Sequence, residues 1–278
     1  LRQINSKITT TFVSMSMLCL MLFLAISAFA TGSGLASSVK TDLEDMTKFD
    51  YTFYGVSEKG YQEEQQQKFM KRLDALGLTI EKDAKEILPI TIYQNGTFRK
   101  CRYKMEPLLK EREKYSDYTK DYVKKLYEIP LTFAKLSEYN KIRKAIGEKE
   151  LTLKSDEYIL NCDYGNLIPI MEKAASDKQK LTLDGKTYKM KYGLQKDTCM
   201  VTAAKTDMGT IVLNDEAIHS LKIDHSTLYL NLNWKGNAQK VSKQYTEHLK
   251  RMITEGKISK TPYATVFSKE EVYEQSTG

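Results

Sequence analysis

Three histidines, four cysteines and one dense run of lysine, arginine and tyrosine are the groups in this chain most suited to chemistry. His219 and His225 are six residues apart, and His248 is distant from both. That spacing does not set two imidazoles on one helix face, so they read as surface or helix-end histidines and no metal site is assigned. Gly185-Lys186-Thr187 ends like a phosphate-binding loop, but Lys180 stands where such a loop needs its first glycine, so the segment reads as a hairpin. Neither G-x-S-x-G nor H-E-x-x-H occurs, and the carboxylates are scattered. No catalytic residue or cofactor site follows, and the chain reads as a non-enzyme. Cys19 lies in an uncharged stretch, and Cys101, Cys162 and Cys199 are an odd set, so at least one thiol lacks a partner in this chain. Whether Cys162 and Cys199 pair stays open.

From Arg99 to Lys125 there are ten Lys/Arg and five Asp/Glu, with tyrosines interleaved. One reading is a solvated helix face. The other is a docking surface for anionic lipid headgroups or for a phosphate-bearing or peptide ligand, because cationic and aromatic groups together suit such partners. Its candidate residues are Arg99, Lys100, Arg102, Lys110, Arg112, Lys114, Tyr115, Tyr118, Lys120 and Tyr122. Beyond Val39 the balance is only +5, from 41 basic and 36 acidic residues, which does not indicate nucleic acid.

The elements that would hold these groups are read from periodicity and punctuation. Strands are expected over 47–55, 87–93, 97–103, 127–133, 157–162, 209–213, 227–234 and 261–267. Asn95-Gly96 and Asp184-Gly185 mark hairpins, and Pro130 suggests an edge strand. Asn95-Gly96-Thr97 also matches a glycosylation sequon, but reads better as a turn. Helices are expected over 61–76 (Phe69, Leu73 and Leu76 inward), through the polar 105–127 region, after an N-cap at Ser137, over 167–175, and after an N-cap at Asn237. The last carries an inner stripe of Val241, Tyr245, Leu249 and Met252. Interleaved helices and hairpins predict α+β, with mixed or antiparallel sheets and packed helices.

Residues 8–39 hold no Asp, Glu, Lys or Arg. Within them Phe12–Ala30 is a 19-residue apolar run, close to the roughly 20 residues that cross a bilayer as a helix. Arg2 and Lys7 flank its N-terminal end, which places that end in the cytoplasm and residues from about 40 onward outside. Ala28-Phe29-Ala30 resembles a signal cleavage site, the competing reading. The run exceeds a usual signal core, and a start at Leu1 suggests an excerpt from a longer protein. The expected organisation is a cytoplasmic flank and transmembrane helix over 1–39 and an extracellular domain over 40–278, which could divide into lobes of about 40–135 and 136–278.

The stretch LRQINSKITTTFVSMSMLCLMLFLAISAFATGSGL resembles the transmembrane helix leading into the large outer domain of FtsX-like ABC transporter permeases of the MacB and bacitracin-export type. LTFAKLSEYNKIRKAIGEKELTLKSDEYIL resembles their outer-domain pattern, carried here by Ser137, Tyr139, Asn140, Gly147, Leu151, Leu153, Glu157 and Tyr158. TPYATVFSKEEVYEQSTG resembles the segment that returns to the membrane. The resemblance implies a permease subunit in the plasma membrane of a Gram-positive bacterium. Its outer domain would recognise an antimicrobial peptide (bacitracin or lantibiotic) or a lipid-linked ligand. It implies as partners an ABC ATPase subunit that hydrolyses ATP, the remaining permease helices and a sensor histidine kinase. The chain departs from the family in having one membrane helix and no ATPase element. Alternatives are an FtsX-like permease for lipid or lipoprotein transport or wall-hydrolase control, a membrane-anchored extracellular binding protein that is not a transporter, and a secreted enzyme.

Overall fold

The computed structural model describes residues 21–23, 26–27, 43–44, 46–54, 57–59, 64–116, 118–202, 205–258 and 266–277. The chain forms two compact units, Leu1–Asp45 and Met46–Gly278. In the first, the described residues are helical, with Met21, Leu22, Phe23 and Ile26 exposed. Most of the Phe12–Ala30 run expected to span a membrane lies outside the described residues. Among the described residues no helix is long and apolar enough to cross a membrane.

The second unit is α+β, with one mixed sheet. Its strands are β1 (Tyr51–Phe53), β2 (Ser57–Lys59), β3 (Ala84–Gln94), β4 (Thr132–Lys135), β5 (Glu157–Asn161), β6 (Lys180–Leu183), β7 (Lys186–Met190), β8 (Thr210–Leu213), β9 (His225–Trp234) and β10 (Val266–Ser268). They run in the order β10-β1-β9-β3-β4-β8-β5-β7-β6, with β2 also beside β9. The β4–β8 and β5–β7 pairs are parallel and the others antiparallel. The helices are α1 (Gln65–Ala75), α2 (Ile80–Asp83), α3 (Glu106–Leu109), α4 (Lys120–Leu126), α5 (Leu136–Ala145), α6 (Ile168–Ser176), α7 (Asp215–Ser220), α8 (Ala238–Thr254) and α9 (Lys269–Thr277).

Strand β9 shows why helices cover both faces of the sheet. Its even-numbered Leu228, Leu230, Leu232 and Trp234 are buried in a cluster with Phe69 and Leu73 of α1 and Tyr245 and Leu249 of α8. Each fully buried leucine contributes about 1.5–3 kcal/mol relative to exposure. α8 presents that stripe because Asn237 caps it, its side chain accepting from Lys240 N at 2.9 Å. Across the sheet, Tyr139 and Ile142 of α5 pack on Ile90, Ala134, Ile159 and Val212. A third cluster joins α3, α4 and α6 to Tyr93, Phe133, Leu160 and Ile211.

Pro89 sits inside β3, opposite Leu230. Thr91 N–H donates to Glu138 Oε2 at 2.7 Å, so it points away from β9. Alternate residues of a strand point their N–H groups the same way. The missing N–H of Pro89 is therefore on the side where β4, which joins β3 only at Tyr93 and Gln94, does not reach.

Several expected elements are corrected. Asn95-Gly96 does turn the chain, but residues 97–103 form no strand. Asn95 Nδ2 donates to Lys222 O, Gly96 N to Asp224, and Arg99 N to Glu128 O, so these groups tie the turn to other segments instead of a hairpin partner. Gly96 has φ +78°, and a Cβ there would lie 1.9 Å from Lys100 O. The 105–127 region breaks into α3, a single turn at Glu113–Tyr115, and α4. The strand near Pro130 is β4, which starts at Thr132 and lies inside the sheet. Ser137 does not cap α5 with its own side chain. Its N–H and Oγ both donate to Asp215, which comes from α7. Of 261–267, residues 261–265 lie outside the described residues. Cys101, Cys162 and Cys199 are free thiols.

Candidate functional site

The candidate surface from Arg99 to Tyr122 is not one surface. Arg112 has a side chain only 11% exposed. Its Nε donates to Asp177 Oδ2 at 3.0 Å, Nη2 to Gln179 Oε1 at 2.8 Å, and Nη1 reaches the carbonyls of Pro107, Leu108 and Lys110. These contacts pin the chain after α3 to the end of α6. Arg102 Nε donates to Asp184 at 2.5 Å, and Tyr103 Oη donates to the same carboxylate. Burial and that bond push the Tyr103 phenol up to about 12. Lys110 pairs with Glu106 one helical turn back. Arg99, at φ +65°, lies over the exposed Phe98 ring, and Lys100 is exposed beside it.

A smaller set does come together. Tyr118 and Tyr122 have ring centroids 4.5 Å apart, and Tyr118 Oη bonds Tyr164 Oη at 2.7 Å and accepts from Asn166. Tyr115 and Tyr122 are 39% and 43% exposed. Lys114 and Lys173 lie over the Tyr115 ring, and Lys120 is exposed at the start of α4.

The histidines do not converge. His225 Nδ1 faces Asp224 Oδ1 at 2.6 Å, His248 Nε2 faces Leu76 O at 2.7 Å, and His219 ends α7. Gly185 belongs to the two-residue Asp184-Gly185 turn between β6 and β7, and Lys186-Thr187 open β7.

A second site went unread in the sequence. A cavity of about 230 Å³ opens on the sheet face that α5 also covers, at one end of the strands. Ile92 of β3, Tyr229 of β9, Thr132 of β4 and Thr210 of β8 form its floor. Met105, Ile129, Pro130, Met200, Val201 and Met208 also line it. The loop carrying Met200 is held to the sheet. Asn231 Nδ2 donates to Met200 O at 2.8 Å, Thr202 N to Thr52 Oγ1 at 3.1 Å, and Thr202 Oγ1 to Phe49 O at 2.8 Å.

Asp163 and Asp207 also line the cavity. Asp207 is held by three donors: Gly209 N at 3.0 Å and Thr210 Oγ1 at 2.8 Å on Oδ1, and Asn161 Nδ2 at 2.7 Å on Oδ2. The turn needs Gly209, whose φ is +145° and whose Cβ would crowd the methyls of Met171 and Met105. Burial raises the Asp207 carboxyl, and the three donors oppose that rise. Asp163 is 6% exposed, and its Oδ1 accepts one donor, Asp207 N at 2.8 Å. Among the described residues no donor meets Asp163 Oδ2. Burial, and then the neighbouring Asp207 charge, push Asp163 up to about 7. Asp207 thus has three donors that favour its charged form against burial, whereas Asp163 has one.

Asn161 links this pair to the interior. It is fully buried, accepts from Tyr139 Oη at 2.7 Å and donates to Asp207. No local pattern marks the pair, because Asn161, Asp163 and Asp207 meet only when β5 and β8 lie side by side.

No protein-family model matches the chain, and no curated protein matches it. A 1.5 Å crystal structure of a "Putative Lipoprotein" from Bacillus anthracis is similar over 71% of this chain and 90% of that chain, at TM-score 0.36 and 13% identity. So distant a likeness carries nothing about function.

Proposed function

We propose that residues from about 40 onward form an extracellular ligand-recognition domain, tethered at a Gram-positive plasma membrane by the Phe12–Ala30 run. The chain is then part of an FtsX-like ABC permease subunit that handles antimicrobial peptides of the bacitracin or lantibiotic kind. The observation that carries this reading is the break in composition. Residues 8–39 hold no charge, and a separate compact unit begins at Met46. A stretch that bare of charge belongs in lipid, and a charged, well-cored unit belongs in water. The exposed Met21, Leu22, Phe23 and Ile26 side chains agree with lipid contact. The resemblance of the three quoted stretches supports the permease class, with the ATPase on a partner subunit. The exposed Lys114, Tyr115, Lys120 and Tyr122 group supports contact with anionic headgroups or ligands.

Topology is tested by Lys186→Cys, next to the exposed β6–β7 turn, with an impermeant maleimide on intact cells. Labelling without lysis is expected. Labelling only after lysis overturns the extracellular reading. Titrating the full chain in nanodiscs with bacitracin, nisin and a lipid-linked wall precursor tests the ligand class. Saturable binding of at least one is expected. Binding of none overturns the peptide-handling reading.

A further inference from the structure

We infer that the cavity at the strand ends is a binding site for a primary ammonium carried on a short apolar chain, with Asp163 receiving the cation and Met105, Met200 and Met208 enclosing the chain. This goes beyond the permease reading and stands or falls without it. Three observations carry it. First, the cavity has a mostly apolar lining that also carries two carboxylates, Asp163 and Asp207, the pattern of a small-molecule pocket with a few placed polar groups. Second, Asp207 has its donors but Asp163 Oδ2 meets none among the described residues, though Asp163 is almost fully buried. That oxygen is open to solvent at the cavity, not sealed in the interior, and an ammonium on the ligand supplies it with both a donor and the opposite charge. Third, three methionines, Met105, Met200 and Met208, are part of the lining, and their flexible thioethers fit chains of varied shape.

Size narrows the ligand. An apolar cavity of about 150 Å³ holds benzene, so about 230 Å³ accepts roughly a five- to seven-carbon amine. Charge excludes the alternatives. A carboxylate would face Asp163 and Asp207 together, and an alcohol would bring no charge.

The other titratable groups around Asp163 are Asp207, which raises it, and Lys205, which lowers it through space without an ion pair to it. The thiols of Cys162 and Cys199 are pushed up by burial and stay neutral, as does Tyr229. Binding of a cation therefore strengthens as pH rises and Asp163 ionises.

The test uses the full chain in zwitterionic nanodiscs with methyl-labelled methionine, titrated with n-pentylammonium at pH 8. Saturable shifts confined to Met105, Met200 and Met208, among the eleven methionines, are expected. n-Pentanol should bind at least tenfold more weakly and pentanoate not at all. Affinity for the amine should fall about tenfold between pH 8 and pH 5.5, and Asp163→Asn should remove both that dependence and at least tenfold of the affinity. Pentanol binding as tightly as the amine, a flat pH profile in the native chain, or equal shifts at methionines outside the cavity would each overturn the proposal. If Asp163→Asn fails to fold, the native pH series and the pentanol comparison still decide.

Discussion

Between Arg99 and Lys125 several charges, one buried and others at the surface, find opposite charges. Arg112 meets Asp177, Arg102 meets Asp184, and Lys104 meets Glu128 at 2.7 Å. At the strand-end cavity the arrangement is the reverse: two carboxylates sit together, and one of them keeps an oxygen without a donor among the described residues. In the ribbon Arg102, Lys104, Lys110 and Arg112 are matched by carboxylates; in the cavity a carboxylate oxygen has no protein donor among the described residues. Density of charge is thus a poor guide to where a ligand is needed. A carboxylate oxygen that lines a largely apolar cavity and has no protein donor among the described residues is a better one.

The comparison is broken most directly at Asn161. Asn161→Ala removes a donor from Asp207 and an acceptor from Tyr139, both in the interior. Orphaned buried polar groups cost about 1–3 kcal/mol each, so a loss of about 3–4 kcal/mol in urea unfolding is expected. A loss under 1 kcal/mol would show that Asp207 is not held from the core and that the two regions do not differ in kind. In the ribbon, Arg112→Ala strips Asp177, Gln179 and three carbonyls of one shared donor at once. About 2–3 kcal/mol is expected by the same measurement. Lys114→Ala, an exposed neighbour, should stay within about 0.5 kcal/mol.

Asp163→Asn sharpens the contrast through its sign. Asp163 is raised from the ordinary carboxylate range to about 7 by burial and by Asp207. Between pH 4 and pH 7 the native protein therefore holds a proton that the unfolded chain has released, and native stability falls as pH rises through that window. Below pH 4 both states are protonated and the penalty vanishes. Asparagine has no proton to lose and keeps the Oδ1 acceptor for Asp207 N. The variant should match the native protein near pH 4 and exceed it by on the order of 2 kcal/mol at pH 8. Thermal unfolding across that range is the measurement. A variant less stable than native at pH 8 would mean that Asp163 is a structural anion.

Local signals carried much of the fold. β9, α8 with its Asn237 cap, the β6–β7 turn at Asp184-Gly185, and the buried pair Tyr139 and Ile142 all stand where periodicity and turn chemistry put them. The misses share one cause. Asn95-Gly96 turns toward Lys222 and Asp224 instead of starting a hairpin, and Ser137 is capped by Asp215 from α7. Each is decided by a partner more than 70 residues away. The site divides the same way. The lysines and tyrosines of the ribbon are adjacent in sequence and therefore visible, though Arg112 proved to be a buried tie and Arg102 a surface pair with Asp184. The cavity draws on β3, β4, β8, β9 and two loops. Its only local trace is the Asp207-Met208-Gly209 turn.

The smallest effect on stability tests what remains of the ribbon. With Arg112 excluded as structural, the exposed cations near Tyr115 and Tyr122 are Lys114, Lys120 and Lys124, with Lys100 by Phe98. Reversing all four to glutamate removes no buried contact, so unfolding should move by less than about 0.5 kcal/mol per site. Near an anionic surface each lysine contributes about 1 kcal/mol, screened by salt. Binding to vesicles containing phosphatidylglycerol should therefore drop by well over tenfold at low salt, while the n-pentylammonium affinity of the cavity stays unchanged. Unchanged vesicle binding would reduce these lysines to a solvated face and leave the cavity as the stronger of the two candidates for a ligand. A parallel fall in amine binding would couple the two regions, which the separate hydrogen-bond networks around Arg112 and Asp207 do not predict.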